Sequence, residues 1–230
     1  MRVYAIGDIH GCSDLLDLMV RAIREDLAAH PARDALTVTL GDYIDRGPDS
    51  RGVLDRLARN PFPTDYVALK GNHEQMLETF LRDPATAPHW LMNGAGETLH
   101  SYDVAIERSM TEPDFSRLAA AFRAVLRPAH VQFLSELKLS FDAGACFLCH
   151  AGIRPGMPFD RQSEEDLLWI REDFLDSQMD FGKVVVHGHT PVDQPENLAN
   201  RIDIDTGAFL TGRLTCVALE GARRRFLSTA

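Results

Sequence analysis

The chain has 230 residues, 45% of them hydrophobic and 25% charged, with a formal net charge of −10 at pH 7. That length and apolar content can bury a core without disulfide or metal staples, and they fit a single domain spanning 1–230. The acidic balance disfavours sequence-independent nucleic-acid binding, which relies on Lys and Arg against phosphates, so an anionic ligand needs a local positive site; the lack of an apolar stretch of 18 residues excludes a spanning helix, and no membrane partner is expected.

The N-terminal apolar run, residues 3–6, reads as a strand. It is too short for a signal peptide, and Asp8 follows it closely. Residues 14–29 carry Leu15, Met19, Ile23 and Leu27 on one helical face, with Ser13 as the expected N-cap and Pro31 as the stop. A second apolar run covers 36–40. Residues 49–59 then repeat the helical theme, with Val53, Leu54 and Leu57 apolar and Pro61 beyond the end. A third run covers 66–69. From 74 to about 140 the pattern changes to mostly helical, with cores at 115–126 and 130–137 separated by Pro128, and reads as a helical insertion. Runs at 146–149 and 184–186 resume the strand pattern. From Arg201 onward paired strands are expected, with Ile202 and Ile204 alternating with acids and a further run at 214–219. Strands alternating with helices predict a layered α/β fold.

Four cysteines are present: Cys12, Cys146, Cys149 and Cys216. Cys146 and Cys149 are spaced C-x-x-C, but they lie inside an apolar run and have no second C-x-x-C to complete a zinc site, so they read as small buried hydrophobes. Reduced thiols and a cytoplasmic location are expected.

Five of the apolar runs are followed at once by Asp, Asn or His, usually beside glycine: Gly7-Asp8-Ile9-His10-Gly11, Gly41-Asp42-Tyr43-Ile44-Asp45-Arg46-Gly47, Gly71-Asn72-His73-Glu74, His150-Ala151-Gly152 and His187-Gly188-His189-Thr190. Open α/β sheets bind ligands beyond the carboxyl ends of their strands, so residues far apart in sequence would converge. Carboxylate, amide oxygen and imidazole suit divalent Mn, Fe, Zn or Ni, and Asp8 and His10, two apart, point to the same side in extended chain. Singly, each residue has a plainer reading: Asp42 as a helix cap, Asn72 as a turn residue, His150 as a hydrogen-bonded core histidine. Five such readings at the same place relative to a strand do not hold jointly.

These blocks resemble the phosphoprotein phosphatase family of calcineurin-like metallophosphoesterases. Gly-Asp-Ile-His-Gly, Gly-Asp-Tyr-Ile-Asp-Arg-Gly and Gly-Asn-His-Glu match its three signatures in order, and the resemblance to the bacterial and phage branch runs from residue 3 to about 219. It includes Leu168-Trp169-Ile170-Arg171 and Ile204-Asp205-Thr206-Gly207-Ala208. The resemblance implies a layered β-sandwich flanked by helices and two divalent metal ions, Mn first among the candidates. It implies Asp8 and His10 on the first ion, Asp42 bridging, and Asn72, His150 and one histidine of the His187-Gly188-His189 pair on the second. The family ligand follows a small residue and precedes a polar one, which fits His189; His187 then closes a strand. The resemblance further implies attack on phosphorus by a metal-bridging hydroxide, with Arg46 and Arg171 gripping phosphoryl oxygens. His73 protonates the leaving oxygen and Asp45 orients it. Arg154 reads as a surface arginine, and Glu74 as a first-turn residue favoured by the helix dipole.

The expected reaction is hydrolysis of phosphate monoesters, on phosphoserine, phosphothreonine or phosphotyrosine in proteins or on a small phosphorylated substrate. Symmetrical cleavage of dinucleoside polyphosphate, as by a diadenosine tetraphosphatase, is the alternative. Trp90-Leu91-Met92-Asn93-Gly94 and Leu168-Trp169-Ile170-Arg171 look closer to the bacterial protein-phosphatase type, and the Ser-Ala-Pro-Asn-Tyr segment of the eukaryotic enzymes is absent. The insertion is expected to wall the substrate cleft. Trp90 is expected to anchor a helix, with stacking on a nucleobase or resting against a peptide as the competing roles. A metal-binding scaffold without catalysis has no use for His73 and Asp45, and a nuclease is opposed by the lack of a basic stripe. The sequence carries no signal for oligomeric state.

Overall fold

Every residue of the first strand is buried, yet alternate side chains serve different layers. In the computed structural model, which describes residues 1–107 and 109–229, β1 (Arg2–Ile6) sends Val3 and Ala5 into one apolar cluster and Tyr4 and Ile6 into another. After it come α1 (Ser13–Ala29), β2 (Ala35–Thr39), α2 (Ser50–Leu57) and β3 (Asp65–Ala68). The helical stretch holds α3 (Asn72–Arg82), α4 (Ala87–Trp90), α5 (Gly96–Ser101), α6 (Glu112–Val125) and α7 (Pro128–Ser135). Then follow β4 (Ser140–Asp142), β5 (Cys146–Cys149), α8 (Glu164–Trp169), α9 (Glu172–Leu175) and β6 (Val184–His187). The chain closes with β7 (Glu196–Asn197), β8 (Arg201–Asp203), α10 (Ala208–Thr211), β9 (Thr215–Glu220) and β10 (Arg223–Ser228).

The strands form two mixed five-stranded sheets, ordered β10-β9-β1-β2-β3 and β4-β5-β6-β8-β7. β1, β2 and β3 are parallel, as are β5, β6 and β8, and antiparallel strands complete each sheet. Between the sheets, Val3, Val38 and Val217 of the first meet Leu148, Val186 and Ile202 of the second. The outer face of the first sheet packs on α1, α2 and the helical stretch through Ile6, Leu16, Leu54 and Phe80. The outer face of the second packs Phe147 and Val185 against Leu167 and Phe174. The result is the expected α/β sandwich, and the carboxyl ends of the parallel strands of both sheets open on one side.

Two local expectations change, and Pro128 separates the two helical cores as expected. Ser13 does not cap α1: Cys12 holds that position, and the Ser13 hydroxyl donates to Asp49 at 2.6 Å. Asp49 instead caps α2 by accepting from the Gly52 N–H at 2.9 Å. Pro128 opens α7 at a first-turn position, where a missing N–H leaves no helical bond unmade. The C-terminal strands do not all pair with one another, since β8 lies in the second sheet while β9 and β10 extend the first as a hairpin. Among the described residues no helix is long and apolar enough to cross a membrane.

A buried ion cluster ties α1 to both strands beside it. Asp26 accepts from the Tyr4 hydroxyl and from Arg225, each at 2.6 Å, and Arg2 stands 3.6 Å away. Burial by itself raises the Asp26 pKa, but the hydrogen bonds from Arg225 and Tyr4 outweigh it and hold the group below its ordinary value. A depressed folded pKa stabilises above the unfolded value of about 4 and is lost as pH falls through the folded one. Asp26→Asn is therefore expected to lower stability by about 1–2 kcal/mol near neutrality, with the gap to the parent narrowing below about pH 4 in urea melts; a pH-independent gap contradicts the assignment.

Candidate metal centre

The loops after β1, β2, β3, β5 and β6 bring the predicted residues to one buried place. Two sets of donors have all their ligand atoms within 4.8 Å of one another: His10, Asp42 and His73 in one, and Asp42, His150 and His189 in the other. Asp42 belongs to both. Asn72 joins the second, its side-chain oxygen 2.8 Å from His150 Nε2 and 3.0 Å from His189 Nδ1. Asp8 stands outside these tightest sets; its carboxylate accepts from the His189 backbone N–H at 3.1 Å. His187 closes β6 and belongs to neither set; its Nδ1 lies 3.1 Å from the Gly188 carbonyl oxygen.

The proton inventory of the site tests whether cations fit. His10 donates from Nδ1 to the Ile44 carbonyl at 2.8 Å, and His150 from Nδ1 to the Leu40 carbonyl at 3.0 Å. Each neutral ring then presents a lone pair at Nε2. Those nitrogens face the two oxygens of Asp42, one each, at 3.4 Å. Acceptor facing acceptor is unfavourable unless a cation lies between. Protonation does not resolve it, because burial presses the pKa of His10 down to about 3, lowers that of His150, and takes His189 to about 2. Nε2 of His189 has no hydrogen-bond partner. On the carboxylate side, burial and then the charges of Asp205 and Asp42 raise the Asp8 pKa well above its ordinary value. Buried like charges beside neutral imidazoles form a donor set complementary to divalent cations.

His73 differs from the other site histidines. Its Nδ1 is 2.7 Å from Asp45 Oδ2, and its Nε2 has no hydrogen-bond partner and lies 3.8 Å from Asp42. Burial opposes its charge, but Asp42 and then Asp45 overcome it and raise its pKa above the ordinary value. Arg46 donates to His10 Nε2 at 3.2 Å and lays its guanidinium 5.2 Å from the Phe209 ring centroid. Arg171, at the second set, donates to the Thr190 hydroxyl at 3.0 Å. Arg154 is exposed and ion-paired with Asp166 and Asp173.

The backbone is bent to make this arrangement. His10, Asp42, Asp45, Arg46 and His189 all have positive φ, five of the seven non-glycine residues that do so among the described residues. Such conformations cost about 1–3 kcal/mol each and persist only where surroundings enforce them. Glu74 is one enforcer. The expectation of a first-turn helix residue misses its main contacts, since its buried carboxylate accepts from the backbone N–H groups of Asp42 and Gly71 at 2.9 Å and of Tyr43 at 2.8 Å. Burial, then the Asp42 charge, raises its pKa to about 7 against those donors. The two loops it joins touch because both are glycine there. A Cβ on Gly41, at φ +109, would sit 2.5 Å from the Gly71 nitrogen, and one on Gly71 would strike Asp42.

Sequence reasoning also assigned no role to Asp205, although it follows β8 as the other site residues follow their strands. It is buried, faces Asp8, and has its pKa raised to about 6, chiefly by burial. Trp90 does anchor a helix: it is 1% exposed, with its ring against Phe80 and Phe122, and stacking on a nucleobase is therefore ruled out. Its indole N–H reaches Asp45 Oδ2 at 2.8 Å, a contact the sequence did not suggest.

A model of the calcineurin-like phosphoesterase family matches residues 1–209. This chain belongs to that family, as the two-sheet fold and the Asp42-centred site lead one to expect, and it is a hydrolase acting on phosphate esters. The family uses a dinuclear divalent metal centre. Among curated relatives, serine/threonine-protein phosphatase 1 of Salmonella typhimurium is 32% identical over 228 residues, covering 95% of this chain and 92% of that protein. The asymmetrical bis(5'-nucleosyl)-tetraphosphatase PrpE of Anoxybacillus flavithermus is 28% identical, covering 92% and 88%. The cold-active protein-tyrosine phosphatase of a Shewanella species shares the fold, with a TM-score of 0.61 at 16% identity, covering 100% of this chain and 80% of that one.

Glu74 gives the site a test independent of turnover. Glu74→Gln puts an amide N–H against backbone donors, so calorimetric titration of the metal-free protein with Mn is expected to show affinity about 10–100-fold weaker than the parent's. Unchanged affinity contradicts the clamp.

Proposed function

We propose that this protein is a serine/threonine or dual-specificity protein phosphatase whose two metal sites share Asp42. The observation that carries the reading is the pair of donor sets meeting on that carboxylate, with His73 backed by Asp45 beside them. Asp8, His10 and Asp42 are assigned to the first ion; Asp42, Asn72, His150 and His189 to the second. The oxygen and nitrogen donors, with no thiolate among them, favour Mn, with Fe, Zn or Ni as other occupants. When bound, the ions lower the pKa of water to make a nucleophile and neutralise phosphoryl oxygens.

Arg46 and Arg171, one beside each set, are assigned to the phosphoryl oxygens, which planar guanidinium groups can hold two at a time. His73 is assigned the proton for the leaving oxygen. A metal ligand must present a deprotonated nitrogen, and His73 is the site histidine whose pKa is raised. With Nδ1–H retained by Asp45, Nε2–H is the proton to give. The unit 1–230 is read as one catalytic domain. Its four free cysteines, all buried, support a reducing, cytoplasmic setting.

The 32% identical relative named as a serine/threonine-protein phosphatase supports the protein substrate. The relative named as an asymmetrical tetraphosphatase supports dinucleoside polyphosphate as the second reading. Metal-stripped protein given Mn is expected to hydrolyse nitrophenyl phosphate, and no metal-dependent turnover would sink the enzyme assignment. His73→Asn is expected to lose about 10²–10⁴-fold on an alkyl phosphate and far less on nitrophenyl phosphate, whose leaving oxygen needs no proton. A higher kcat/KM for a phosphopeptide than for diadenosine tetraphosphate supports the first reading; the reverse order replaces it with the second.

A further inference from the structure

We infer that Trp90, together with Thr98, is a positioning residue for the proton donor, so that the helical insertion sets the aim of His73. The inference rests on the acid role proposed for His73. Asp45 has no exposed surface, and its carboxylate is held by three donors from three helices. His73 Nδ1, on α3, and Trp90 Nε1, at the end of α4, share Oδ2 at 2.7 and 2.8 Å. The Thr98 hydroxyl, on α5, donates to Oδ1 at 2.6 Å. Two of those donors come from the insertion.

The physical reason lies in a soft torsion. An aspartate carboxylate turns about its Cβ–Cγ bond in a broad, roughly two-fold well, so a single partner does not fix its plane. His73 Nδ1–H follows that plane, and Nε2 is carried on the same rigid ring. The Trp90 indole is itself buried and packed, with centroids 4.9 Å from Phe80 and 6.0 Å from Phe122. Its N–H therefore fixes Oδ2, and Thr98 fixes Oδ1. Trp90 is 1% exposed and so does not touch a substrate, and its one polar contact is with Asp45. In the step concerned, an oxygen derived from water bonds to phosphorus as the phosphorus–oxygen bond to the leaving group breaks and the Nε2–H proton passes to that departing oxygen. The ring is left neutral, with Nδ1–H still donating to Asp45.

The test uses the Mn-loaded full chain with Trp90→Phe, which keeps an aromatic ring, and Thr98→Val, which keeps the shape. Phe122→Leu is the comparator for packing alone. Each of the first two is expected to lower kcat on an alkyl phosphate about tenfold, the rate equivalent of one lost hydrogen bond to a charged group, with KM nearly unchanged and a loss of no more than about twofold on nitrophenyl phosphate. Phe122→Leu is expected to lower Tm while leaving the ratio of the two substrates as in the parent. Equal losses on both esters, or a change confined to KM, would overturn the inference. A second measurement does not depend on turnover. In the protein loaded with diamagnetic Zn, the His73 Nδ1–H proton resonance, assigned by its disappearance in His73→Asn, is expected to shift or broaden in Trp90→Phe. If the parent shows no turnover, the proposed function fails by itself; an unmoved resonance overturns the positioning role whatever the turnover.

Discussion

Each oxygen of Asp42 faces an imidazole nitrogen with no proton to give. His10 and His150 have both committed Nδ1–H to backbone carbonyls, and both turn Nε2 toward this one carboxylate at 3.4 Å. Three sets of lone pairs meet among buried side chains, and in a medium of low polarity such a meeting is favourable with positive charge between. Other features follow from it. The charge of Asp205 helps to raise the Asp8 pKa, Arg46 donates to His10 Nε2 at the first donor set, and Arg171 stands beside the second.

Holding that meeting requires backbone that would not bend so by itself. Positive φ at His10, Asp42, Asp45, Arg46 and His189 is enforced by packing and by buried hydrogen bonds. Glu74 binds the turn after β2 to the turn after β3, and Trp90 and Thr98 bind the Asp45 carboxylate to the insertion. The sandwich core beneath fixes the strand ends from which the loops spring. A rigid scaffold with strain concentrated at its loop ends keeps donors in place before any ion arrives.

Much of this was legible in the sequence. The apolar runs gave strands to within a residue or so, because burial on both faces of β1, β2, β5 and β6 leaves a continuous apolar signature. The recurrence of Asp, Asn or His just after those runs pointed to the residues that converge around Asp42. What stayed hidden depends on partners distant in the chain. Glu74 reads as a helix-start acid because its sequence neighbours say nothing of the Asp42 and Tyr43 amides it accepts from. Ser13 likewise has a good capping context but donates to Asp49, 36 residues on. Trp90 reads as core and is core; only the fold shows where its one polar atom goes. Asp205 could have been found, since it follows a strand as its partners do, but β8 is only three residues long and its pattern is weak.

The central claim is that one carboxylate serves two ions. It is tested most directly by electron paramagnetic resonance of the protein loaded with two equivalents of Mn. A shared Asp42 predicts a broad, exchange-coupled spectrum that collapses to signals of isolated ions in Asp42→Asn. Six-line spectra of isolated Mn in the parent at two equivalents would contradict it.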